Sequence, residues 1–254
     1  MRSSLLTLIR NLHDRKGRRR EAMALAEGVR LVEEAVAAGI PIRGVVLDAD
    51  APTDRRRKAL VALLEARGVP MESVPAKAFA SLAATEQPQG VIAVVEPPAW
   101  GLADLPPTGV VLVLDAVQDP GNVGTLLRTA SALGAAGAVL LKGTADPFNA
   151  KVVRAAMGAT FRFPHVTATP EEFLAWALAS GRFVWVADMD GEPVATARLP
   201  NPLALIVGNE GAGVRPELAA AAHGRVAIPL APGVESLNVA VAAGIILFEA
   251  TRVR

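Results

Sequence analysis

The 254-residue sequence contains no cysteine, which excludes disulfide scaffolds, thiolate zinc sites and cysteine nucleophiles together. Its three histidines, His13, His165 and His223, are widely separated and lack ligand spacing, so neither a metal site nor a Ser-His-Asp arrangement finds support. An excess of one charge is missing as well. The 26 Lys and Arg face 25 Asp and Glu, and a net charge of +1 offers no bulk electrostatic argument for nucleic acid. Long apolar runs are absent. Leu5 to Ile9 is broken by Arg10 and is too short for a signal-peptide core, and Leu237 to Phe248 includes Asn238 and falls short of the ~20 residues that span a bilayer. A soluble, cytoplasmic protein with no membrane partner is expected. Hydrophobic residues make up 52% of the chain, which excludes a disordered or collagen-like protein.

Two segments of different pattern flank a proline-rich stretch at residues 98–108, which reads as a linker. Residues 1–97 form a basic arm and a small α/β unit. Arg19 to Ala38 has Ala22, Leu25, Val29, Val32 and Val36 at helical spacing and is closed by Gly39. Val45 to Leu47 and Gly90 to Val95 read as strands, and Arg55 to Arg67 as a helix ended by Gly68. In residues 109–254, Val110 to Val117 suits a central parallel strand and Asn122 to Leu133 a helix. Strands and helices then alternate through Ala138 to Leu141, Ala150 to Met157, Pro170 to Leu178, Phe183 to Ala187, Leu203 to Val207, Pro216 to Ala222, Val226 to Leu230 and Ser236 to Thr251. This predicts an α/β fold with an open parallel sheet covered by helices on both faces. Ligands in such sheets bind beyond the C-terminal strand ends, which directs attention to the loops beginning at Asp115, Gly208 and Leu230.

Three of the six asparagines, Asn122, Asn209 and Asn238, fall in those loops, and an amide orients a polar ligand without adding charge. Asp119 to Gly124, with Arg128 on the following helix, reads either as a turn with an asparagine cap and a solvated arginine or as an anion site. The second loop, Gly208 to Gly213, holds three glycines that permit close backbone approach. Its Glu210 is a base, a ligand contact or a structural acceptor for loop amides. In the third, Ile228 to Asn238, Ser236 is placed as an N-cap. Asp188 and Asp190, followed by Gly191, read as a strand end and turn.

The near-neutral total hides an uneven distribution. The first 20 residues carry seven cations and one anion, concentrated in Arg15, Lys16, Arg18, Arg19 and Arg20. Such density suits a phosphate-tracking arm, which Arg55 to Lys58 would extend.

Taken together, the three loops resemble motifs one to three of the SpoU (TrmH-type) RNA ribose methyltransferases. The resemblance rests on Asn122-Val123-Gly124 with Arg128, on Val207-Gly208-Asn209-Glu210-Gly211, and on Ile228-Pro229-Leu230 with Glu235 to Ala242. Residues 20–96, including Ala26-Glu27-Gly28 and Gln89-Gly90-Val91, resemble the substrate-binding domain that precedes the catalytic domain in many members. The resemblance implies a deep trefoil knot, a homodimer and transfer of a methyl group from S-adenosylmethionine to a ribose 2′-hydroxyl, in rRNA rather than tRNA. Cofactor contacts would fall on Val207, Gly208, Ile228, Leu230, Leu237 and Asn238. Arg128 would take the central catalytic role. Because guanidinium stays protonated in proteins, the expected role is to hold the target phosphate and stabilise developing alkoxide. Asn122, Ser236 and Asn238 would orient the ribose, and Glu210 would brace the loop or Arg128. A catalytically inactive RNA-binding protein of the same fold is the alternative; a nicotinamide oxidoreductase would need a Gly-x-Gly-x-x-Gly fingerprint that the first loop lacks.

Overall fold

The computed structural model describes residues 4–252, so Arg2 of the basic arm lies outside the described residues. The chain forms two compact units, residues up to 98 together with 146–162, and residues 99–145 together with 163 onward.

The first unit begins with α1 (Leu5–Leu12), α2 (Arg15–Glu21), β1 (Ala24–Glu27), α3 (Val29–Ala37), β2 (Ile42–Asp48), α4 (Arg55–Ala66), β3 (Met71–Val74), α5 (Ala76–Ala80) and β4 (Val91–Val95). Its sheet has the order β1-β4-β2-β3, antiparallel except for the parallel pair β2 and β3. Side chains alternate across β4. Val91, Ala93 and Val95 join the core under α3 and α4, while Ile92 and Val94 pack with Ile9, Leu12 and Phe79 on the opposite face.

The expected helix from Arg19 to Ala38 is interrupted here. Ala22 turns left-handed at φ 51°, Ala24 to Glu27 pair with β4, and Gly28 at φ 99° opens α3. The apolar spacing that suggested one helix is equally satisfied by a buried strand, because all four residues of β1 are buried. The basic segment is therefore helical, in α1 and α2.

The second unit contains β5 (Val110–Leu114), α6 (Pro120–Ala132), β6 (Gly137–Leu141), then, after α7 (Ala150–Ala156) and α8 (Ala159–Arg162) of the first unit, β7 (His165–Ala168), α9 (Pro170–Ala179), β8 (Phe183–Pro193), β9 (Leu203–Val207), α10 (Pro216–Ala220), β10 (Gly224–Ala227) and α11 (Val239–Thr251). All six strands are parallel, in the order β10-β8-β9-β5-β6-β7. Val111, Val113, Ala204 and Ile206 point to one face, packed with Phe173 and Ala177 of α9 and Leu218 of α10. Leu112, Leu114 and Leu205 alternate to the other, and α11 packs against β5 and α6. The open parallel sheet is as expected.

Several boundaries differ. β5 stops at Leu114 because Asp115 turns its carboxylate inward and Ala116 adopts φ 55°. β8 continues through Asp188 and Asp190 to Pro193 instead of turning, with Asp188 ion-paired to Arg225 at 2.8 Å on β10. Residues 98–108 are not a free linker. Trp100 and Leu102 pack on the second unit's core, Leu105 is buried, and buried Arg182 donates to the carbonyls of Pro106 and Gly109. Among the described residues no helix is long and apolar enough to cross a membrane.

Candidate functional site

In the sheet β5 and β9 are neighbours, with Leu114 opposite Val207, so the first two loops leave the sheet side by side. Asp119, not Asn122, caps α6: its carboxylate accepts from the Asn122 N–H at 2.8 Å, and Pro120 occupies the first turn. That leaves the Asn122 side chain free to reach outward. Its Nδ2 donates to Glu210 Oε1 at 2.9 Å, and its Oδ1 accepts from Asn238 Nδ2 at 3.0 Å. Asn238 in turn is the N-cap of α11, its Oδ1 accepting from the N–H groups of Ala240 at 2.9 Å and Val241 at 3.4 Å. The cap fixes which end of the Asn238 amide points out, and that fixes the orientation of Asn122. One directional chain of hydrogen bonds, α11 to Asn238 to Asn122 to Glu210, thus ties the three loops together.

The expectation that Ser236 would cap the helix is corrected by the same geometry, since α11 starts three residues later. Likewise Glu210 does not collect loop amides and makes no hydrogen bond to Arg128. Asn209 collects them: its Oδ1 accepts from Gly211 and Ala212, its Nδ2 donates to the Ala116 carbonyl, and its backbone pairs with Gly213. Below the loop lies Asp115, fully buried, which accepts from the Arg215 N–H at 2.7 Å and Nε at 2.6 Å while Arg215 also donates to the Lys142 carbonyl. Gly208 is required by space, because a Cβ there would sit 2.2 Å from the Gly213 backbone.

The segment after β10 is built differently. Ile228, Leu230, Ser236 and Leu237 line one mainly apolar cleft of about 150 Å³, shared with Met189 and Val226. Among the described residues, its internal backbone bonding is a single Val234 N–H to Ala231 carbonyl contact. Val207, Gly208 and Asn238 do not line this cleft. An apolar slot with a hydroxyl at Ser236, smaller than the ~300–1,000 Å³ of whole small-molecule pockets, suits the apolar part of a nucleoside-bearing thioether or sulfonium cofactor.

Arg128 is exposed on α6 and has no hydrogen-bond or ion-pair partner among the described residues. The structure brings Asn122, Glu210 and Asn238 into one network and leaves Arg128 available. On α2, Arg15, Lys16, Arg19 and Arg20 are exposed. Arg18 is not part of that surface. It is buried, donates to the carbonyls of Leu12 and His13, and pairs with Asp146 at 2.6 Å. Arg57, in the second basic run, is likewise buried against the carbonyls of Asp48, Ala51 and Gly90. Buried arginine that saturates backbone carbonyls is a structural staple. Asp115 and Arg215 were missed in the sequence, where they stand 100 positions apart; the one available signal was an acidic residue closing an otherwise apolar strand.

Residues 109–248 match the SpoU rRNA Methylase family, and residues 6–93 match the MRM3-like substrate binding domain. The chain is 37% identical over 242 residues to the 23S rRNA (guanosine(2553)-2′-O)-methyltransferase RlmP of Bacillus subtilis (strain 168), covering 94% of this chain and 92% of that protein. Among solved structures, an AdoMet-bound rRNA methyltransferase from Sinorhizobium meliloti superposes with a TM-score of 0.86 at 35% identity, covering 98% of this chain and 94% of that one. The SpoU methyltransferase AviRb from Streptomyces viridochromogenes, in complex with AdoMet, gives a TM-score of 0.87 at 30% identity, with 98% and 97% covered. With its catalytic half matched throughout and its full length paralleled in these relatives, the chain belongs to the SpoU rRNA methylase family.

Proposed function

We propose that this protein transfers a methyl group from S-adenosylmethionine to a ribose 2′-hydroxyl of ribosomal RNA. The observation that carries the reading is the Asn238–Asn122–Glu210 chain, which joins the three loops at the strand ends next to the apolar cleft. The relatives' names support 23S ribosomal RNA over transfer RNA. A ribosomal substrate supports a cytoplasmic location.

When bound, S-adenosylmethionine supplies a sulfonium-activated methyl group. Ile228, Leu230, Leu237 and the flanking peptide groups would hold it, with Val207 and Gly208 on the neighbouring loop. Asn122 and Asn238, held in fixed amide orientation, position the ribose together with Ser236. The 2′-hydroxyl is a weak nucleophile at neutral pH, and alignment of oxygen with methyl supplies much of the acceleration. Arg128 holds the target phosphate and stabilises charge developing on the 2′-oxygen. In the transfer the 2′-oxygen would gain the methyl group, the S–CH3 bond would break to leave a neutral thioether, and the hydroxyl proton would pass to a phosphate oxygen held by Arg128. Glu210 acts through Asn122, as a positioning residue.

The segment 228–238 leaves β10 near the sheet edge and enters α11, which packs on central β5; this return supports the deep trefoil knot. Exposed Val241, Ile245 and Phe248 form a stripe on α11 beside α6. Their spacing of four and three residues makes one apolar helix face, which supports a homodimer. Residues 1–97 serve as the RNA-binding half, with Arg15, Lys16, Arg19 and Arg20 on phosphates.

Incubation with labelled S-adenosylmethionine and ribosomal RNA lacking the modification, followed by nucleoside mass spectrometry, tests the reading. A 2′-O-methylnucleoside is expected; binding of RNA without transfer would favour the inactive alternative, and a base-methylated product would refute the ribose assignment. Arg128→Ala is expected to lower turnover at least 100-fold with unchanged cofactor affinity, on the scale of losing one transition-state donor. Unchanged turnover would remove Arg128 from the mechanism.

A further inference from the structure

The first unit contains a cleft of about 200 Å³ that the methyl-transfer chemistry does not use. Its walls come from the turn between β1 and α3, from the segment between α5 and β4, and from α7. Buried Glu27 fixes its shape by accepting from the Ala84 N–H at 2.7 Å and from the Thr85 hydroxyl. Gly28, at φ 99°, allows Gln89 to lie against the turn; a Cβ there would be 2.9 Å from Gln89 Oε1.

The cleft also holds polar side chains that make no hydrogen bond among the described residues. Arg154 Nη1 is buried and has no hydrogen-bond partner among the described residues. Arg30, Gln87 and Gln89 are exposed and equally without a side-chain partner among them. Beside these lie the apolar side chains of Leu31 and Met157. A guanidinium N–H is ordinarily saturated by an acceptor; Arg154 lines the cleft with hydrogen-bonding capacity unused among the described residues, which suits a ligand that brings an acceptor. Two guanidinium groups call for an anion. Two amides, each donor and acceptor, match the edge of a heterocycle, and the apolar pair matches its flat face.

We propose that this cleft binds a single unpaired nucleotide of the RNA substrate, distinct from the nucleotide that is methylated. Its phosphate faces Arg30 and Arg154, its base lies against Leu31 and Met157, and Gln87 and Gln89 read the base edge. This rests on the assignment of RNA as substrate. It also makes α7, encoded within the methylase half of the sequence, part of the RNA-reading surface.

The test uses the full chain and anisotropy titrations of synthetic RNA decamers of each base, single-stranded and as duplexes, over a range of KCl. Arg154→Ala and the exposed Arg30→Ala should each weaken single-strand binding about tenfold and reduce the slope of log affinity against log salt by about 0.7, with S-adenosylmethionine affinity unchanged. Gln87→Ala with Gln89→Ala should alter the ranking of the four bases. Wild-type affinity and salt slope in both arginine variants, or preference of the wild type for duplex, would overturn the proposal. If the wild type methylates ribosomal RNA and the variants do so with wild-type KM, the cleft assignment alone falls; if the wild type neither binds nor methylates RNA, the assignment of RNA falls with it.

Discussion

The loop after β9 and the segment after β10 occupy the same end of one sheet and are held in opposite ways. Between Gly208 and Arg215 the chain is tied down at several points: Asn209 makes three side-chain hydrogen bonds, Arg215 locks onto a fully buried carboxylate, and the backbone closes on itself at Gly213. Between Ile228 and Ser236 the chain makes one internal backbone bond among the described residues and is otherwise exposed or half-buried. The first loop is a floor whose shape is set by folding. The second is a strap whose firm anchor among the described residues is the Asn238 cap. Stability and cofactor affinity should therefore separate by loop.

The largest effect is expected at Arg215. Arg215→Ala strands the Asp115 carboxylate in the interior and should cost about 3 kcal/mol in urea unfolding; a loss below 1 kcal/mol would mean that the floor is not set by this pair. Gly208→Ala comes next, at about 2 kcal/mol, because its Cβ has no room against Gly213. Asn238→Ala removes the helix cap and should cost about 1 kcal/mol, together with a larger fall in turnover, as Asn122 loses its orienting partner. Smallest in stability is Leu237→Ala, within about 0.5 kcal/mol as expected of a partly exposed side chain, yet cofactor affinity measured by calorimetry should drop several-fold. If Leu237→Ala unfolds the protein as readily as Arg215→Ala, the contrast between floor and strap is wrong.

Much of the sheet was legible because continuous apolar runs such as Val110 to Leu114 and Leu203 to Val207 permit little else in a chain that alternates strand and helix. What misled was ambiguity of period. Leu25 and Val29 are four apart in sequence, which suits a helix, but Ala24 to Glu27 find their hydrogen bonds on β4, about 68 residues away in sequence. Short strands such as β3, with two of four residues exposed, carry no clear pattern. In the site, the asparagines stood out by rarity, whereas their division of labour depended on which neighbour took each cap. Asp119 freed Asn122 and Asn238 displaced Ser236 through local caps, whereas the partners those amides then bond lie 88 and 116 positions away. Charge density along the chain likewise could not tell Arg18, which is buried, from Arg19, which is not.

Residues 146–162 cluster with the first unit although they interrupt the second, and Val153 and Phe161 complete the first unit's core. The two units are therefore interleaved in the gene even though each is contiguous in space. A cut at the proline-rich stretch would yield one fragment with an uncovered core and another burdened with a surplus helical pair. Exchange of the first unit between relatives by simple recombination at that point would carry the same penalty, because its core is completed by residues encoded beyond it.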